Sequence, residues 1–260
     1  MEAATPLEDL WRGILTGNAS THTIRFLFSV LPSNPRCQIC HSPFASFGGA
    51  LVRMFGVRRS RLNPNFCNTC EDYLRKIPGG AETDLALLFV DIRGSTTIAE
   101  RVGPAEFSKL IDRFYKTTQE VLIEGGALIE KLVGDEVASL FVPGFAGPQY
   151  ARKAVEAARK LLSVTGHGDS NGPWVPVGVG VHWGRAWVGA VGSASGVVEM
   201  TTLGDAPNVT ARLASSAGKG EVLVSEDAWN ASQLTIPAAE ERLLSLKGRK
   251  EPVKVKVLVA

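Results

Sequence analysis

The sequence predicts an α+β protein, a mixed sheet with flanking helices, preceded by a small metal-stapled module. Three observations carry this. From Asp84 onward, short apolar runs of strand character alternate with amphipathic helical segments. Hairpin connections and helical crossovers both occur among them, which requires mixed pairing. All four cysteines lie between Cys37 and Cys70, as two Cys-x-x-Cys pairs. The division falls near residue 80, giving a module over 1–80 and a second domain over 81–260.

Composition limits the partners. The chain has 260 residues, 45% hydrophobic and 21% charged, with a net charge of +2 from 28 basic and 26 acidic residues. So balanced a charge gives no argument for nucleic acid or an acidic surface. No apolar run approaches the roughly 20 residues of a spanning helix. The N-terminus, MEAATPLEDLWRG, is acidic where a signal peptide is basic. A cytoplasmic protein with no membrane span and no nucleic-acid partner is expected.

The module opens with helical spacing at Leu7, Leu10, Trp11 and Ile14, with Gly17 placed to end the helix. In a reducing compartment the paired spacing of Cys37, Cys40, Cys67 and Cys70 suits a metal better than disulfides. Four thiolates close a tetrahedral zinc site. The 26 residues between the pairs exceed a zinc-ribbon gap, so a looped variant is expected. An iron–sulfur cluster also takes four cysteines, and the spacing does not choose between them. CQICH also spells a haem-attachment motif with His41, but that reading leaves Cys67 and Cys70 without a role. Arg53, Arg58, Arg59 and Arg61 form a basic cluster, read as a solvated face. RKIPGGAETD reads as a linker, and the second domain is expected to hold a core of its own.

In that domain LALLFVDI is a near-continuous apolar run, hence a central strand. PAEFSKLIDRFYKTTQEVLIE has helical spacing at Phe107, Leu110, Ile111, Phe114 and Tyr115. EKLVGDEVASLF reads as two strands joined by a tight Gly134–Asp135 turn. PQYARKAVEAARKLLSV is a second amphipathic helix. WVPVGVGVHWG and AWVGAVG read as two strands around a glycine turn, and VVEMTTL as another. A helix capped by Asp205 follows, with Pro207 tolerated in its first turn. Strands near 221–224 and 253–259 close the chain.

Two carboxylates then need a purpose. Asp91 ends the buried strand and is followed by a Gly-Ser-Thr-Thr turn into a helix, whose N–H groups can cradle phosphate. Asp135 sits at the hairpin turn. Carboxylates at two adjacent strand ends suit a pair of Mg²⁺ or Mn²⁺ ions bridging a polyphosphate. Lys131 stands four residues before Asp135, in a strand otherwise fit for burial.

These residues resemble the class III nucleotide cyclases from about Ala81 to the C-terminus. FVDIRGST and KLVGDEVASLF resemble the two metal motifs of that family, with Asp91 and Asp135 44 residues apart. GVHWGRAWVGAVG, TTLGDAPNVTARL and LKGRKEPVKV resemble its later motifs, in order. Five ordered matches are far more specific than one. The resemblance implies a ferredoxin-like cyclase domain that converts ATP to cyclic AMP and pyrophosphate. It assigns two Mg²⁺ or Mn²⁺ ions to Asp91, Ile92 and Asp135, the ribose to Asn208, and charge on the α-phosphate to Arg212. Lys131 and Thr201 would read the base, and Arg185 and Lys247 would contact phosphates. Lysine at 131 donates to adenine N1 and meets the N1–H of guanine badly, which favours ATP. Thr201 stands where many members have Asp; a hydroxyl accepts like Asp but also donates, which loosens selection. The Thr-bearing subset responds to bicarbonate, a candidate effector here. In the family, metal and base residues come from different subunits, so a head-to-tail homodimer is expected.

Three rivals remain at this stage. A guanylate cyclase shares the motifs. A GGDEF-type diguanylate cyclase shares the Gly-Asp-Glu turn but has no place for the Asn208/Arg212 helix. A zinc-stapled adaptor that only binds nucleotide would not need the complete set of candidate catalytic residues.

Overall fold

The computed structural model describes residues 5–18, 27–28, 30, 35–61, 63–192, 198–236, 238, 240–246, 249 and 251–260. Helix α1 (Pro6–Thr16) starts where the Thr5 hydroxyl accepts from Glu8 N at 3.3 Å, and ends at Gly17, whose φ is +83°. The Gly17 stop was legible in the sequence; the Thr5 cap appears only in the structure. Helices α2 (Ser46–Met54) and α3 (Asn68–Lys76) follow among the described residues of the module. The sheet then begins at once, with β1 at Gly79–Ile92.

Helices α4 (Ser95–Val102) and α5 (Pro104–Glu124) follow, then the hairpin β2 (Leu128–Val133) and β3 (Glu136–Phe141). Short α6 (Pro143–Ala146) leads into α7 (Tyr150–Val164). After β4 (Val177–Gly192) and β5 (Val198–Leu203) come α8 (Asp205–Ser216), β6 (Glu221–Ser225), α9 (Glu226–Ser232), β7 (Glu240–Leu244) and β8 (Val253–Val259). The sheet order is β2-β3-β1-β4-β6-β8-β7, with β5 on the far half of β4. The β4–β6 pair is parallel and the others are antiparallel, so the mixed sheet is borne out.

Three readings change. Gly184 does not break a strand: β4 runs unbroken for 16 residues, each from Val177 to Ala190 paired with a residue of β1. Extended pairing on both sides leaves the glycine no turn to make. The supposed linker is structured: Gly79 and Gly80 pair with Ala190 and Gly189, and a Cβ on Gly189 would collide with the Gly79 carbonyl. Two small residues let the backbones meet there. Asp205 does not cap α8; it is the first helical residue and pairs with Arg249 at 2.7 Å.

The sheet buries both faces. One face carries Leu88, Val90 and Val179 against Phe114, Leu122, Val155 and Leu161 of α5 and α7. The other carries Leu85, Leu87 and Phe89 against Trp11, Leu15, Phe66 and Leu74 of the module. The second domain therefore does not own its core alone: one face of its central strand is completed by residues from 1–80. Two of the basic residues serve the module itself, since Arg53 donates to Phe44 O at 3.1 Å and Arg59 to Pro64 O. Among the described residues no helix is long and apolar enough to cross a membrane.

His182 of β4 is 7% exposed, and its Nδ1 lies 2.8 Å from Ser225 Oγ. Burial pushes its pKa down to about 4; Arg249 adds to this, while Asp227 and Asp205 oppose it. The folded state holds the ring neutral, whereas the unfolded chain protonates near 6.5. The resulting stability is present above pH 6.5 and is lost as pH falls toward 4. Between pH 6.5 and 5 this loss should be about 2 kcal/mol, at about 1.4 kcal/mol per unit. Urea unfolding of His182→Gln, which can still bond Ser225, should show a correspondingly flatter pH profile. Equal slopes in the two proteins would contradict this.

Candidate functional site

A cleft of about 300 Å³ opens where β2, β5 and α8 meet. Its lining includes Glu130, Lys131, Thr201 and Asn208, so Lys131, Thr201 and Asn208, scattered over the sequence, come together on one cleft. A β-bulge between Ile129 and Lys131 shapes the β2 wall. Ile129 pairs with Ser139 and Lys131 with Ala138, leaving Glu130 as the extra residue. Strict alternation would send Glu130 and Lys131 to opposite faces. The bulge turns both toward the cleft. One Glu130 oxygen accepts from Thr201 Oγ1 at 2.9 Å and from Thr202 N at 2.8 Å. The other is buried with no hydrogen-bond partner among the described residues.

The carboxylates lie at the hairpin end of the same sheet. Asp91 pairs across the ladders with Glu136 of β3 and Gly178 of β4. The amide of Ile92 donates to Asp135 O at 3.1 Å, which ties the end of β1 to the turn. Gly134 takes φ +60°, and Tyr115 of α5 donates to its carbonyl at 2.7 Å. Asp91 and Asp135 are both half-buried. Burial, then the charge of Asp135, pushes the Glu136 carboxyl up.

The cation beside these groups is Arg93, which sequence reasoning passed over although it lies inside the FVDIRGST motif. It pairs with Asp91 and donates to Ser215 O at 2.8 Å from the end of α8. Burial lowers its pKa, against the opposing pull of Asp135 and Glu136. Gly178 leaves room for it: a Cβ there would sit 3.1 Å from Arg93 Cδ.

Arg185 is not brought to this end. It pairs with Asp84, seven ladder positions from Asp91, which is about 24 Å at about 3.4 Å per residue. It makes an exposed ion pair with Glu82 at 3.3 Å. Asn208 and Arg212 are one turn apart on α8, and Asn208 donates to Gly204 O at 2.9 Å. Lys247 lies outside the described residues.

The four cysteines converge in the module. The Sγ atoms of Cys37, Cys40, Cys67 and Cys70 all lie within 4.8 Å of one another, and none is in a disulfide. The amide of Cys67 donates to Cys37 Sγ at 3.3 Å, and that of Cys70 to Cys67 Sγ at 3.4 Å. Such donors suit thiolate acceptors. Hydrogen bonds from the other sulfurs, Cys40 first, hold the Cys37 thiol far below its usual range, and Cys37 in turn pushes Cys70 up. Four thiols this close cannot all ionise without a cation among them, so the donor set fits a tetrahedral soft-ligand metal. Cys37 and Cys40 are not set apart with His41, as haem attachment requires. The loop between the two cysteine pairs reaches the sheet: Asn63 both accepts from Ile129 N at 2.9 Å and donates to Ile129 O at 3.3 Å.

The fold and the motifs have counterparts among known proteins. Residues 80–258 match the model of the adenylate and guanylate cyclase catalytic domain. An adenylate cyclase of Anabaena cylindrica is 30% identical over 142 residues, which are 52% of this chain and 28% of that one. An adenylate cyclase of Mycobacterium tuberculosis is 26% identical over 176 residues, 67% of this chain and 39% of that one. The match thus spans well under half the length of these curated relatives. Among solved structures, the guanylyl cyclase Cya2 superposes with a TM-score of 0.63 at 23% identity, covering 70% of this chain and 95% of that one. The adenylyl cyclase CyaB from P. aeruginosa gives 0.62 at 22%, covering 70% and 96%. The match over 80–258, on the sheet that gathers the cleft and the two carboxylates, places the chain in the adenylate and guanylate cyclase catalytic-domain family.

Proposed function

We propose that the chain is an adenylate cyclase, converting ATP to 3′,5′-cyclic AMP and pyrophosphate at a site shared by two copies. The observation that carries this is the convergence of Lys131, Thr201 and Asn208 on one cleft of nucleobase size. The Lys131 ammonium donates to adenine N1, where guanine has a competing N–H. Asn208 orients the ribose. Arg212, one turn along α8, meets charge growing on the α-phosphate as the bond from the 3′-oxygen forms and that to pyrophosphate breaks.

Asp91 and Asp135, with the carbonyl of Ile92, form a hard oxygen donor set suited to Mg²⁺ or Mn²⁺. Two such ions would lower the pKa of the 3′-hydroxyl and neutralise phosphate charge. Arg93 pairs with Asp91 and would have to yield it to such ions. Lys247 stays a candidate phosphate contact on the family resemblance alone. Arg185 likewise stays a candidate phosphate contact on the family resemblance, seven ladder positions along β1 and β4 from Asp91.

Purified protein with Mn²⁺ or Mg²⁺ should form cyclic AMP from ATP, and Asp91→Ala or Asp135→Ala should reduce this to background. Full activity in either would remove the metal assignment. Mixing Asp91→Ala with Arg212→Ala should restore activity, because one site per heterodimer is intact. Dimers that form without regaining activity would count against a shared site.

For the module we propose structural zinc at Cys37, Cys40, Cys67 and Cys70. Elemental analysis should find one metal ion per chain, and Cys37→Ser should strip it. Because the module completes one face of the sheet, the loss should lower the urea midpoint of the whole fold. An unchanged midpoint would show that the module folds apart from the sheet. Metal-free wild-type protein, purified under reducing conditions, would remove the site.

A further inference from the structure

We propose that Glu130 is a positioning residue for base selection: it engages the Thr201 hydroxyl proton and leaves that oxygen an acceptor toward the base. The proposal rests on the adenine reading above and names the device that enforces it.

A threonine hydroxyl can donate or accept, so by itself Thr201 would not tell a 6-amino group from a 6-oxo group. Glu130 removes that freedom. Its Oε1 accepts from the backbone N–H of Thr202 at 2.8 Å and faces Thr201 Oγ1 at 2.9 Å. The amide can only donate, so Oε1 is an acceptor whether or not a proton sits on Oε2. Thr201 must then donate to Oε1. Its lone pairs remain for the cleft, where the amino group of adenine donates and the O6 of guanine is repelled.

The fold commits Glu130 to this place. The bulge brings it to the cleft side beside Lys131. Asn63 holds the preceding residue, Ile129, by both its N–H and its C=O, so the edge strand cannot slip. The remaining Glu130 oxygen is buried without a hydrogen-bond partner among the described residues. A buried carboxylate half-satisfied in this way is costly. Packing alone does not call for it.

Two ATP analogues of nearly equal size isolate the effect. N6-methyl-ATP donates at position 6; 6-methoxypurine riboside triphosphate only accepts there. Both leave N1 unprotonated for Lys131. The wild type should favour the first by about tenfold in kcat/KM, or in Ki where turnover is slow. Glu130→Ala and Thr201→Val should each bring the ratio toward one, and the double variant should go no lower. Glu130→Gln, whose amide oxygen still accepts both bonds, should keep the preference. If Glu130→Ala does not fold, Glu130→Met, which keeps the bulk but accepts neither bond, takes its place with the same expected loss. A ratio near one in a wild type that prefers ATP to GTP overturns the role of Glu130 alone, as does a ratio that survives Glu130→Ala. A wild type that prefers GTP overturns the adenine reading and this proposal together.

Discussion

The antiparallel ladder between β1 and β4 is the constraint on which the rest depends. Fourteen consecutive pairs, from Gly79 with Ala190 to Ile92 with Val177, lock the two longest strands in one register. A slip of one residue would turn every side chain of β1 to the other face. Leu88 and Val90 would leave α5 and α7, and Phe89 and Asp91 would leave the face that carries the cleft. The ladder sets Gly178 opposite Asp91, which admits Arg93, and it holds Arg185 at the far end. Through β5 it also sets Thr201, which pairs with Gly189.

The module and the sheet are mechanically joined. Trp11 and Phe66 are fully buried in the same cluster as Leu85 and Leu87. Asn63 and Asn65 bond backbone groups of Ile129, Ile123 and Ala127, so the metal-binding half grips the edge strand just before the bulge. A change at the cysteine cluster thus has a short covalent and hydrogen-bonded route to Glu130 and Lys131. That route is physical contact, and any coupling through it is set by how differently the module binds the two states of the strand.

Much of this was legible from the residues. The long helix at Pro104–Glu124 and the hairpin around Gly134 follow from periodicity, and the cysteine cluster from spacing. What was hidden depends on tertiary contacts. Gly184 and Gly79-Gly80 look like breaks because glycine usually punctuates, yet each here lies in a paired strand. The bulge at Glu130 leaves no mark on the alternation of a six-residue strand. Arg185 lies inside the GVHWGRAWVGAVG motif, but distance along a strand, which the motif does not carry, separates it from Asp91. Arg93 was in view but could be weighed only once Gly178 was seen to leave space for it.

The proposed active site is built from two copies of the chain. It is tested most directly by a crystal structure with Mn²⁺ and an ATP analogue lacking the 3′-hydroxyl. Adenine should lie between Lys131 and Thr201 of one copy, with Mn²⁺ on Asp91 and Asp135 of the other. Nucleotide and Mn²⁺ held wholly within one chain, or a base outside the cleft of Lys131 and Thr201, would contradict it.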